Sequence, residues 1–303
     1  MASRRSAIRI AAPAKINLYL HITGRRADGF HLLDSLIAFA GVGDTVSVRP
    51  ASGLELTIDG PLADRIPKGG RNLVLTAARR LAKAVKFVDG AEIRLTKRLP
   101  VAAGLGGGSA DAAAALRALA SLWGVAEEDG VLGAVAETLG ADVPVCLARC
   151  AAFVGGIGER ITPAPALPSA WLVLANPRVA LSTPKVFAAR TGSFAKAARF
   201  TESPLAAREL AAVLASRTNG LTAAAVSLAP AVDEALAALA AEPAALMSRM
   251  SGSGATCFAL FSEVAEAEAA AARLAAAHPD WWVRAAPLLS QAPCDAADQL
   301  SSE

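Results

Sequence analysis

Four glycines within five residues, Gly104, Gly106, Gly107 and Gly108, stand directly before a run of small and apolar residues. No other stretch restricts the possible folds as much. Glycine gives up backbone order that alanine would keep, so a turn built this way needs conformations or close approaches that side chains forbid. Ser109 is placed to cap the helix that follows through Ala112, Leu116, Leu119 and Leu122, and Gly124 ends it. Backbone N–H groups gathered by the turn, together with the positive end of a helix dipole, make a phosphate site.

The loop departs from two common glycine-rich phosphate loops. No lysine follows the glycines, as Gly-x-x-x-x-Gly-Lys-Ser/Thr requires. The strand before it ends in Lys97-Arg98-Leu99-Pro100, and no regular βαβ unit surrounds it as a dinucleotide site needs.

Elsewhere strands and helices mix. Ile16–Ile22, Thr45–Val48, Leu54–Ile58 and Ala91–Leu95 are strand-like, separated by turns such as Ala27-Asp28-Gly29. Asn72–Ala84 has helical spacing. The run Ile161–Pro177 contains Pro163, Pro165, Pro168 and Pro177 and is expected to be a loop followed by a strand over Trp171–Ala175. Alanine-rich helices are expected over 205–217, 231–240 and 263–277, with strands over Thr256–Phe261 and Trp282–Pro287. This order predicts an α+β fold with two lobes.

Several function classes are excluded early. Mean hydropathy is +0.41, but about a quarter of the residues are alanine, and no stretch of about 20 apolar residues is free of charge. The N-terminus has two early arginines and no apolar leader, so a cytoplasmic protein without membrane attachment is expected. The net charge of +3 is scattered in doublets, which leaves no basic stripe for nucleic acid. Cys146, Cys150, Cys257 and Cys294 lack zinc-type spacing and are expected to be buried thiols. The tail after Leu289 has the Ser, Asp and Gln content of a mobile end.

Pro100–Ala110 resembles the phosphate loop of the GHMP small-molecule kinases, Pro-x-x-x-Gly-Leu-Gly followed by small residues. Three further segments resemble that family in order along the chain. They are Ala14-Lys15-Ile16-Asn17-Leu18 with Thr23–His31, the aspartate segment Leu139–Val145, and the second glycine turn Ser251–Phe258. Together they span most of the sequence.

The resemblance implies an N-terminal ATP-binding lobe over residues 1–158 and a C-terminal α/β substrate lobe over 159–303. It also implies transfer of the γ-phosphate of ATP to the 2-hydroxyl of a methylerythritol carrying cytidine diphosphate, on the non-mevalonate route to isoprenoids. By similarity Asp142 is the base and Lys15 its partner, where a lysine near a carboxylate favours the charged form and can stabilise phosphoryl oxygens. On a strand, Lys15 and Asn17 share one face. Asp142 is equally suited to capping a helix with Pro144 in its first turn.

The nucleotide is expected on Pro100, Val101, Ala102, Ala103, Gly104, Leu105, Gly106, Gly107, Gly108, Ser109 and Ala110, with Asn72 either contacting it or capping the helix that follows. Phe30 is expected to stack on cytosine and His31 to hydrogen-bond it. Thr183 and Phe187 complete that pocket, and Asn17, Gly252, Ser253 and Gly254 also face substrate. Kinase chemistry implies Mg²⁺, whose ligands the sequence does not single out; Ser109 is the obvious hydroxyl, and Asp111 could act through water or favour the helix N-terminus. The alternatives are a related kinase of homoserine, a mevalonate derivative or a sugar, and a silent nucleotide-binding module. Either a monomer or a homodimer accommodates the alanine-rich helices.

Overall fold

The computed structural model describes residues 7–66, 72–86, 89–126 and 130–289. Cys294 and the tail after Leu289 lie outside the described residues.

Strands β1 (Ile8–Arg25) and β2 (His31–Ala51) form a long antiparallel hairpin that turns at Ala27-Asp28-Gly29. Alternation is lost along the middle of β1 because both its faces are covered. Ala12 faces one core with the glycine-loop helix, while Ile16, Leu18 and Tyr19 face another with Leu172 and Phe258. The register shifts between Pro13 and Ala14, Asn17 and Tyr19, and Ile22 and Gly24. Such irregularities re-aim side chains, and two of them bracket Lys15 and Asn17.

Strand β3 (Leu54–Asp59) runs parallel to β4 (Gly90–Thr96), which pairs antiparallel with β2. The hairpin β5 (Ala152–Gly156) and β6 (Arg160–Pro163) adds to the other end of β2. In the second lobe, β7 (Trp171–Asn176), β8 (Met247–Met250), β9 (Cys257–Phe261) and β10 (Trp282–Leu289) are antiparallel. Leu288 and Leu289 of β10 pair with Ala40 and Phe39 of β2, joining the lobes in one ten-stranded sheet.

Helices α1 (Leu73–Ala84), α2 (Gly107–Trp123), α3 (Val131–Leu139) and α4 (Val143–Ala148) belong to the first lobe. Those of the second are α5 (Thr183–Ala189), α6 (Ala207–Ala215), α7 (Thr222–Leu228), α8 (Ala231–Ala240) and α9 (Val264–Ala277). The alanines of α2 are buried from Ala110 to Ala120, so their small size lets the helix lie close to β1, β2 and α1.

Three expectations change. Helix α2 starts at Gly107 with Gly106 at its cap position, so Ser109 lies inside the first turn and caps nothing. Residues 160–163 form strand β6, because pairing with β5 outweighs the proline that ends it. The division after residue 158 falls in the β5–β6 turn, which leaves β6 on the N-terminal lobe's sheet. Cys146 and Cys257 are buried, Cys150 is half-buried, and no disulfide joins these three.

Candidate active site

Lys15 and Asp142 meet across the first lobe. Asp142 occupies the cap position of α4, but its side chain makes no capping bond. Its Oδ2 instead lies 3.1 Å from Lys15 Nζ. The lysine side chain is 6% exposed and the carboxylate 44%, so the pair presents its acid to the cleft. Lys15 Nζ also donates to Asn17 Oδ1 at 3.2 Å, and Asn17 Nδ2 donates to Ser35 Oγ at 2.8 Å. The shared face expected for Lys15 and Asn17 is thus a hydrogen-bonded row.

Three motifs lock together around this row. The Lys15 N–H donates to the Leu105 carbonyl at 2.9 Å, and the Asn17 N–H to Ser251 Oγ at 3.1 Å. Ser251 Oγ donates to the Gly104 carbonyl at 2.9 Å, and the Thr256 N–H to the Ala103 carbonyl at 3.1 Å. Gly104 has φ +74°, and a Cβ there would lie 2.3 Å from the Ser251 carbonyl oxygen. Gly106 has φ +60°, and a Cβ would lie 2.9 Å from Lys15 Cε. These two positions require glycine, one for contact with the second glycine turn and one for passage of the lysine. Because Gly106 has no capping side chain, the first N–H groups of α2 remain available on the cleft side for an anion.

Behind the loop lies a buried charge cluster that sequence reasoning missed. Lys97 Nζ donates to Asp111 Oδ2 at 2.7 Å and to Asp44 Oδ2, while Asp44 Oδ1 accepts from the Arg98 N–H at 2.5 Å and the Leu99 N–H at 2.9 Å. Burial pushes the Asp111 carboxyl up, with Lys97 opposing and Asp44 adding to the rise. The signal was present as charges set among small and apolar neighbours, Asp44 in β2 and Asp111 at the alanine-rich start of α2. The structure places Asp111 against Lys97 as a tie between α2 and the end of β4.

At the other end of the cleft, Phe187 belongs to the lining and His31 stands just outside it, the two rings lying 5.3 Å apart between centroids and inclined by 33°. Burial first, then the charges of Arg25 and Arg190, lower the His31 pKa from its ordinary value, which favours neutral imidazole. Thr183 Oγ1 and Ser253 Oγ are 2.8 Å apart. Phe30 is 59% exposed and outside the lining of the cleft, so the ring beside His31 is that of Phe187.

The cleft has a volume of about 610 Å³ and contains both the reactive pair and the glycine loop. Pro100, Val101, Ala102, Ala103, Gly104, Gly106, Gly107, Gly108 and Ser109 line it, whereas Leu105 and Ala110 turn into the core. Asn17, Thr183, Phe187, Gly252 and Ser253 also line it, while Gly254 packs behind against Met250 and Leu181. Asn72 caps α1, its Oδ1 accepting from the Val74 N–H at 2.9 Å, and the residue also lines the cleft.

Residues 72–149 match the model of the GHMP kinases N terminal domain, and residues 199–280 that of the GHMP kinases C terminal domain. A 4-diphosphocytidyl-2-C-methyl-D-erythritol kinase from Paramagnetospirillum magneticum is 58% identical over 93% of this chain and 98% of its own. The enzyme of the same name from Rhodospirillum rubrum is 52% identical over 91% and 90%. A crystal structure of 4-(cytidine 5'-diphospho)-2C-methyl-D-erythritol kinase superposes with a TM-score of 0.78 at 36% identity, covering 92% of this chain and 98% of that one. Homoserine kinase from Cytophaga hutchinsonii shares the fold, with a TM-score of 0.71 at 20% identity over 96% and 97% of the two chains. The chain therefore belongs to the GHMP kinases, within their 4-diphosphocytidyl-2-C-methyl-D-erythritol kinase family.

Proposed function

We propose that this chain transfers the γ-phosphate of ATP to the 2-hydroxyl of 4-diphosphocytidyl-2-C-methyl-D-erythritol, giving the 2-phosphate and ADP, on the non-mevalonate route to isoprenoid precursors. The observation that carries this reading is the Lys15–Asp142 pair, set in the same cleft as the open first turn of α2. A module that only bound nucleotide would need the glycine loop but not this pair.

The N–H groups of the α2 first turn and the loop from Pro100 to Ser109 hold the nucleotide's phosphates. The acceptor's 2-oxygen forms its bond to the γ-phosphorus while the bond to the β,γ-bridging oxygen breaks, and that oxygen leaves with ADP. Asp142 takes the hydroxyl proton, and Lys15 fixes the carboxylate and stabilises charge on the transferred phosphoryl group. His31 reads the polar edge of cytosine and Phe187 stacks on its face. Phe30 adds an exposed ring at the mouth, and Thr183 with Ser253 lines the path between the two ends. Among the described residues, no group of three or more His, Cys, Asp or Glu is arranged to hold a metal. Mg²⁺ takes most of its ligands from phosphates and water, and Ser109, which lines the cleft, is the loop hydroxyl that would join them. When bound with ATP, the ion would supply neutralisation of phosphate charge.

No described helix is long and apolar enough to cross a membrane. A cytoplasmic reaction is part of the same proposal. A coupled ADP-release assay comparing the cytidyl substrate with homoserine and mevalonate tests the proposal. Turnover confined to the cytidyl compound is expected, and turnover on one of the other alcohols without it overturns the substrate assignment.

A further inference from the structure

The second glycine turn, Ser251–Gly254, reaches the glycine loop through Ser251 and the path to the acceptor through Ser253. It is held from behind by Asn219, in the link between α6 and α7. That link is fixed against β1. The Leu20 N–H donates to the Thr218 carbonyl at 3.0 Å, and the Gly220 N–H donates to the Leu20 carbonyl at 2.7 Å. The Thr218 N–H donates to His21 Nε2 at 3.1 Å, so the His21 proton sits on Nδ1, which faces the Lys196 carbonyl at 2.8 Å.

From this base the Asn219 side chain spans to the turn. Its Nδ2 donates to the carbonyls of Met250 at 2.7 Å and Gly252 at 2.8 Å, while its Oδ1 accepts from the Leu221 N–H at 2.9 Å. The residue is 7% exposed, and both amide protons go to the carbonyls that flank Ser251. Those carbonyls can only accept, so the amide nitrogen must face them. Ser251 then passes the constraint on, through its bonds from Asn17 and to Gly104. Only an amide of this length supplies two donors from one atom here. An aspartate would set carboxylate oxygen against two carbonyls, and a glutamine is one methylene too long.

We propose that Asn219 is a positioning residue for phosphoryl transfer. By clamping both sides of Ser251, it fixes the register between the second glycine turn and the glycine loop. That register sets where the nucleotide's phosphates lie relative to Lys15 and Asp142. The inference rests on the proposed kinase reaction, in which a displacement of about 1 Å costs on the order of a hundredfold in rate.

The test compares Asn219→Asp and Asn219→Ala with the wild type, measuring the thermal midpoint, kcat and both KM values at a temperature where each variant is fully folded. A loss of kcat of about ten- to hundredfold is expected, with the KM for the cytidyl substrate changed less than kcat. Combining Asn219→Ala with Ser251→Ala is expected to cost little more activity than Ser251→Ala alone, because both act through one contact. Should the first two variants not fold, Asn219→Ser, which keeps one donor, carries the same comparison. A folded variant with kcat within twofold of the wild type overturns the inference and leaves Asn219 as scaffold only; so do losses that multiply in the double variant. Failure of the wild type itself on the cytidyl substrate counts against the proposed reaction, not against the clamp, which is then read as weakened ATP binding in the same variants.

Discussion

Asp142 sits where a helix cap belongs, yet its carboxylate turns away from the α4 backbone to lie 3.1 Å from Lys15 Nζ. The capping bond given up there is worth about 1 kcal/mol in an ordinary helix. Pro144, in the first turn, removes one N–H that would otherwise need a partner. The helix start therefore tolerates an aspartate directed at the cleft, and Gly106 leaves room for the lysine to reach it.

The two aromatic side chains at the cytidine end make separable predictions. Phe187→Ala removes the ring packed beside His31 and should raise the KM for the cytidyl substrate by up to about tenfold, with little change in the KM for ATP. Phe30→Ala should have a smaller effect of the same sign, because that ring is largely in solvent before substrate arrives. Steady-state kinetics with each substrate varied checks both, and an unchanged cytidyl KM in both variants moves base recognition elsewhere.

Lys97→Met strands the carboxylates of Asp44 and Asp111 in the core without their cation. Breaking a buried pair in this way costs about 3–5 kcal/mol. Chemical denaturation should show a loss of that order, whereas a change below about 1 kcal/mol, as for an exposed pair, contradicts the burial argument.

Acid stability should depend on Asp34. Burial pushes its carboxyl up, but the bonds from Arg199 Nε at 2.8 Å, the Ala198 N–H at 2.8 Å and the Tyr19 hydroxyl at 2.9 Å outweigh that and hold it below the usual carboxylate range. A carboxyl lowered on folding stabilises the protein above its unfolded value, and that stabilisation is lost as pH falls through the lower, folded value. Arg199→Met should therefore move the acid-unfolding midpoint to higher pH. An acid titration followed by circular dichroism measures it, and an unmoved midpoint counts against the assignment.

The glycine loop, the helix behind it and the face shared by Lys15 and Asn17 were legible in the sequence because each is a local pattern. Spacing alone shows a strand's face, and a cluster of glycines shows a turn that excludes side chains. Short elements such as β8 and α5 carry too few residues to display a period, so they were missed. Asp44, Lys97 and Asp111 come from three separate elements, and Asn219 reaches the turn at Met250–Gly252 only because its link is laid against β1. Such contacts exist only after the sheet has formed. Phe30 and His31, placed by one motif, both stand outside the cleft lining, and the ring that joins His31 to the cleft is Phe187 from the second lobe, a pairing that no local pattern displays.

The most direct test of the account is the rate of phosphoryl transfer by Asp142→Asn, measured alongside its affinity for ATP. Asparagine keeps the size of the side chain but cannot take up the hydroxyl proton, and the α2 first turn that holds the phosphates is untouched. The account predicts that transfer to the cytidyl substrate falls to background while ATP binds nearly as in the wild type. A variant that retains near-normal kcat would contradict the role given to Asp142 and point to a loose transition state that needs little proton removal.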